Sequence, residues 1–89
     1  MNPKAIAVYA LPSYQLDVEF ANGERRIFDV RPYLDKGVFR LLKDVRRFAA
    51  ARIVAGSVEW PGEIDLSYDT LYLEGCDREA AIDNLNLAH

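Results

Sequence analysis

The sequence predicts a small two-layer α+β domain: an antiparallel sheet covered by one or two short helices, in the order β-β-β-α-(α)-β-β. Three observations carry this prediction. Residues 14–20 alternate, with Tyr14, Leu16, Val18 and Phe20 on one side and Gln15, Asp17 and Glu19 on the other. That is the period of a strand with one buried face. Asn22-Gly23 and a second strand-like run, 25–31, follow directly, so residues 14–31 read as a β-hairpin. Residues 37–49 then change period, placing Val38, Leu41, Leu42, Val45, Phe48 and Ala49 on one helical stripe. Strands joined by tight turns pair antiparallel, and the helix is expected to lay its stripe on their apolar face.

Taken in order, residues 5–11 form a first strand, with Ile6 and Val8 on one side, broken by Pro12 and Ser13. Asn22 and Gly23 both tolerate the positive φ that a type I′ turn requires. Pro32 ends the returning strand because it has no N–H for the ladder. Asp44 is a good N-cap type, so the helical stretch is expected to split, with a second piece starting at Val45. Residues 52–54 and 57–60 flank Ala55-Gly56 and return to strand composition, and Pro61-Gly62 marks a turn. Residues 70–73 read as a last short strand, ended by Gly75. Residues 1–76 are thus one domain, and residues 77–89 are a tail or a short helix capped by Asp77.

Composition narrows the function classes. The chain has 89 residues, 51% of them hydrophobic and 28% charged, a balance typical of a single folded domain. Cys76 is the only cysteine, so an internal disulfide and a cysteine-built zinc site are both excluded. Its neighbours Glu74, Asp77 and Glu79 disfavour a thiolate. Those acids also lack the spacing of an EF-hand loop. The single histidine is His89, the last residue, which leaves no plausible Ser-His-Asp triad. No phosphate-binding glycine motif occurs, and no cofactor or metal is implied. No stretch approaches the roughly 20 apolar residues of a membrane span. The short run at 5–11 is broken too early for a signal peptide. A cytoplasmic location is expected.

Glu59, Glu63 and Asp65 surround Trp60 in the sequence, and paired carboxylates beside an aromatic are the residue types of glycoside hydrolysis. In so short a chain they read better as solvated acids around a turn, with Asp65 bonding backbone N–H groups. A small hydrolase is the least favoured function, and no catalytic residue is assigned. Trp60 itself reads as core.

The net charge of −3 conceals a division. Residues 1–24 carry −2; residues 25–52 hold nine bases and three acids, or +6; residues 53–89 hold one base and eight acids, or −7. One reading is a basic surface for an acidic partner, built from Arg40, Lys43 and Arg47 on the wet side of the helix together with Arg46, and with Tyr33, beside Pro32, as an exposed anchor. The other is a fold whose basic and acidic parts face each other. A sequence pI near 5.0 argues against autonomous nucleic-acid binding.

Phe20, Asn22-Gly23, Phe28-Asp29, Gly37-x-Phe39-x-x-Leu42-x-Asp44, Phe48, Trp60-Pro61, Ile64-Asp65-Leu66 and Leu71-Tyr72 occur in that order. As a set they resemble DUF2442, a family of small prokaryotic domains of unknown function, over about Ala5 to Gly75. The resemblance implies a compact α+β fold with an antiparallel sheet and no established activity. Some relatives carry a helix-turn-helix after this domain, which implies a regulatory setting. Members tend to be encoded near small toxin-like proteins, which implies an antitoxin-like role. With about 14 residues after Gly75, this chain is expected to lack the appended DNA-reading domain. The expected function is a non-enzymatic module that binds another protein or a second copy of itself, through a sheet edge and the basic helix face. The alternative is a regulatory domain that contacts nucleic acid through residues 25–52.

Overall fold

The computed structural model describes residues 2–77. They form an α+β domain with two antiparallel sheets. The larger contains β1 (Ala5–Leu11), β2 (Gln15–Phe20), β3 (Arg25–Asp29) and β7 (Cys76–Asp77), in that spatial order. The smaller is the meander β4 (Arg52–Val54), β5 (Ser57–Trp60) and β6 (Ile64–Leu66). The helices are α1 (Val45–Phe48) and α2 (Tyr68–Glu74), preceded by 3-10 segments at Arg31–Tyr33 and Gly37–Lys43.

The alternation at 14–20 does place Leu16, Val18 and Phe20 in the core, where Phe28 joins them from β3. The hairpin turn differs from the expected type I′. Only Gly23 of the pair has positive φ, at 89°. The Gly23 N–H donates to Phe20 O at 2.9 Å, and Phe20 N donates to Glu24 O at 2.8 Å. These bonds make a three-residue loop closed by a left-handed glycine. The Asn22 side chain settles the choice: its Oδ1 accepts from Glu24 N at 3.0 Å, stabilising the loop from within. Positive φ at both central residues, the type I′ condition, occurs instead at Ala55-Gly56, between β4 and β5.

In β1 the register against β2 shifts between Ala5 and Ala7. Ile6 is the extra residue of this bulge and is turned outward, while Ala5 and Val8 pack inward. Ile6 and Val8 therefore do not share a face, against the period-2 expectation, because the bulge breaks the alternation. On the opposite face, Asp17 is only 6% exposed although its position reads as wet. Arg25 reaches it from β3, with Nη2 2.9 Å from Oδ2, and the same guanidinium lies 5.6 Å from the Tyr9 ring centroid.

Two further expectations are corrected. Residues 70–73 are helical, inside α2, because Ser67 caps that helix by accepting from Thr70 N. Residues 64–66 form a strand, so Asp65 is an exposed strand residue opposite Glu59 rather than a turn carboxylate. Asp77 belongs to β7 and stands opposite Arg26 of β3. The rest of the expected tail or helix at 77–89 lies outside the described residues.

The inner faces of both sheets share one hydrophobic cluster. Val58, Trp60, Ile64 and Leu66 come from the smaller sheet, and Val30, Leu34, Leu42, Phe48 and Leu71 from the connections and helices. The single expected sheet is therefore two, coupled where Ala5 N donates to Gly56 O at 2.8 Å. α2 packs beneath the hairpin. The Tyr72 ring meets Phe20 edge-on at 5.1 Å, its hydroxyl donates to Glu24, and the Arg26 guanidinium stacks 3.8 Å above it.

Candidate functional site

The segment from Gly37 to Phe48 carries most of the expected partner surface. It does split at Asp44, which takes an extended conformation and accepts from Arg46 N at 3.0 Å. The first piece is a 3-10 helix, however, and this changes which side chains are buried. A 3-10 helix has three residues per turn, so positions i and i+3 lie one above the other. Gly37–Lys43 consequently has three edges. Phe39 and Leu42 face the core, Arg40 and Lys43 form a basic edge, and Val38 and Leu41 form an apolar edge that is exposed. Beyond the break, Phe48 is buried, while Val45 is 67% exposed and Ala49 is also exposed. Of the six residues assigned to one core stripe, Leu42 and Phe48 alone are buried. The α-helical period of 3.6 is simply not the period of this backbone.

The segment is held firmly from behind. The Trp60 indole N–H donates to Phe48 O at 2.9 Å, and the two rings stack with centroids 6.2 Å apart. Tyr14 meets Phe48 edge-on at 5.3 Å, and its hydroxyl donates to Lys43 O at the end of the 3-10 piece. Tyr14 reaches this position because Ser13 and Tyr14, in the 3-10 turn Pro12–Tyr14, both take positive φ, 63° and 60°. Such backbone costs of order 1 kcal/mol or more per residue and persists only where packing imposes it.

The charges distribute differently from either expectation alone. Arg25, Arg26, Arg31 and Lys43 pair with Asp17, Glu24, Asp29 and Asp35 respectively. Among the described residues these four ion-pair partners lie at 17–35, while Asp77 of the acidic C-terminal third stands opposite Arg26 where β3 pairs β7. Lys43 Nζ lies 2.7 Å from Asp35 Oδ1 and, with a weaker contribution from Arg40, holds that carboxyl below its ordinary 3.8. Arg31 does the same to Asp29, which also accepts from Arg31 N at 3.0 Å. Arg46 and Arg47 are exposed and have no acid within ion-pair distance among the described residues.

Tyr33 is not an exposed anchor. Its ring lies between Phe28, at 5.7 Å, and Phe39, at 5.4 Å, and its hydroxyl donates to Glu74 Oε1 at 2.7 Å. Burial, with the Glu74 carboxylate second, raises its pKa above 10.0. Tyr33 instead forms one wall of a groove of about 460 Å³, together with Ile27, Asp29, Lys36, Glu74 and Cys76.

The acids near Trp60 do not surround it. Trp60 is 1% exposed and points into the core, whereas Glu59 stands between Arg52 and Asp65 on the other face of its sheet. No aromatic platform is thereby offered to a sugar ring. Among the described residues, no three of His, Cys, Asp and Glu gather closely enough to hold a metal ion. None of their helices is long and apolar enough to cross a membrane. The remaining signature residues have structural work: Asn22, Gly23 and Gly37 shape turns, the last with φ of 48°. Pro61 opens the β5–β6 connection and Leu66 is buried.

Val38, Leu41 and Val45 are the surface residues that sequence reasoning missed, since it placed them in the core. The signal was present in Asp44, whose cap interrupts the stripe between Leu42 and Val45. A family model described as a protein of unknown function, DUF2442, matches residues 5–75. No curated protein and no solved structure matches the chain.

Proposed function

The chain belongs to the DUF2442 family, and from that premise we propose that it is a non-enzymatic, protein-binding regulatory module of the prokaryotic cytoplasm. One observation carries the reading: Arg46 and Arg47, with no ion-pair partner among the described residues, and the exposed aliphatic residues Val38, Leu41 and Val45 all belong to one segment held from the core side. Singly exposed aliphatic residues are ordinary, whereas grouped ones rimmed by polar residues are a mark of protein-interaction sites, which supports the reading. An antitoxin-like role toward a small toxin-like protein is the specific form we favour. Co-expression with the product of the adjacent gene tests it. A stable complex by size-exclusion chromatography is the expected result, and separate elution of both proteins refutes it.

A second reading, contact with nucleic acid, is favoured by the same unpaired arginines. It predicts affinity that falls steeply with salt, and the absence of binding at about 50 mM salt removes it.

A further inference from the structure

We infer that the outward edges of residues 38–47 dock an acid-rich amphipathic segment of a protein partner. The inference rests on the protein-binding reading above and names its site and the chemistry of its occupant. Val38 and Leu41, three residues apart, fall on one edge of the 3-10 helix, and Val45, just past the Asp44 break, is a third exposed aliphatic residue of the same segment. The bases divide into two kinds. Lys43 is committed to Asp35, and Arg40 Nε donates to Asp35 O at 3.3 Å. Arg46 and Arg47, which follow Val45 directly in the chain, are exposed and have no ion-pair partner among the described residues.

That combination selects the occupant. A phosphate backbone would use the arginines and leave three aliphatic side chains in water. A neutral apolar peptide would bury those side chains and strand two guanidinium groups. A helix or strand bearing carboxylates beside aliphatic residues satisfies both, and such a segment reads as anchors at i, i+3 or i+4 when helical. The surface is also prepared in advance. Tyr14, the Asp44 cap and the Trp60 indole fix its backbone from the core side, which lowers the ordering cost of binding.

The test pans a displayed library of random peptides against the full chain. A synthetic peptide of the resulting consensus is then measured by fluorescence anisotropy, with polyglutamate and duplex DNA as comparison ligands. The consensus is expected to combine acids with aliphatic residues and to bind more tightly than either comparison ligand. Val45→Asp should weaken it by about tenfold or more, the loss of one buried aliphatic anchor. Arg46→Ala with Arg47→Ala should weaken it by a similar factor, and Val38→Ser repeats the apolar test should Val45→Asp fold poorly. A consensus without acids or without aliphatic residues overturns the inference. So does equal binding of polyglutamate, tighter binding of DNA, or indifference to these substitutions. In the co-expression experiment, a complex that survives Val45→Asp and both arginine substitutions overturns this surface while the protein-binding reading stands. Failure of the unaltered chain to form any complex overturns the reading itself.

Discussion

Replacing Trp60 with phenylalanine tests how the smaller sheet is tied to the segment that carries the proposed surface. Trp60 is essentially fully buried, and its indole N–H donates to Phe48 O at 2.9 Å. The substitution deletes that bond, worth about 1 kcal/mol net. The orphaned carbonyl keeps a long contact from Ala51 N, at 3.3 Å, so the cost stays near that figure. The missing ring atoms leave a void of roughly 40 Å³, which at about 24 cal/mol per Å³ adds ~1 kcal/mol. The expected loss is therefore about 2 kcal/mol. For a domain of this size that lowers Tm by about 8–16 °C. Far-UV circular dichroism during urea unfolding is the suitable assay, because the variant lacks the chain's only tryptophan. The slope of the transition should not change, since the surface exposed on unfolding is nearly the same. A loss below about 0.5 kcal/mol would mean that neither the bond nor the ring fit supports the fold.

Asp44→Ala should cost about 0.5–2 kcal/mol by removing the N-cap of α1, read by the same urea titration; an unchanged midpoint would show that the cap is idle. Gly75→Ala should destabilise by about 1–3 kcal/mol, because the new Cβ would lie 2.5 Å from the backbone oxygen of Leu71, and a neutral result would mean that α2 shifts freely. Acid should destabilise the fold. Glu24 is held below its ordinary 4.5 chiefly by the Tyr72 hydroxyl, and Asp29 and Asp35 below 3.8 by Arg31 and Lys43. A lowered folded pKa contributes stability above the unfolded value, which is lost as pH falls through the folded one. Tm should thus hold above about pH 5 and decline below about 4.5, and Glu24→Gln should flatten part of that decline; a Tm that rises on acidification contradicts the assignment.

The hairpin and the break at Asp44 were legible because each depends on neighbours in the chain, and the burial of Trp60 because a large aromatic is ordinary core filler in a small domain. Alternation fixes which face of β2 is apolar, and an aspartate at a helix start finds its own backbone N–H. Residues 64–66 and 70–73 were illegible because short apolar runs fit a strand or a helix equally well. Their assignment rests on the Ser67 cap and on pairing with β5, one local but weak, the other non-local. The partner surface was half legible. Arg40, Lys43, Arg46 and Arg47 were identified from charge and position, but which of them are free depended on where Asp35 came to lie. Tyr33 was misjudged because its exposure is set by Phe28, Phe39 and Glu74, which arrive from three other elements.

By itself the sequence determined the class of the fold, its main hairpin, and the place where the helical stretch breaks. These follow from period, turn chemistry and capping, all of which act within a few residues. Tertiary structure alone decided that the strands divide into two sheets. It also decided that the stretch before Asp44 winds as a 3-10 helix. In that winding Phe39 and Leu42 pack on the core, while Tyr14 and Trp60 hold the following turn. That winding turns Val38 and Leu41, and the break turns Val45, from an expected core stripe into exposed residues, followed by two arginines with no ion-pair partner among the described residues.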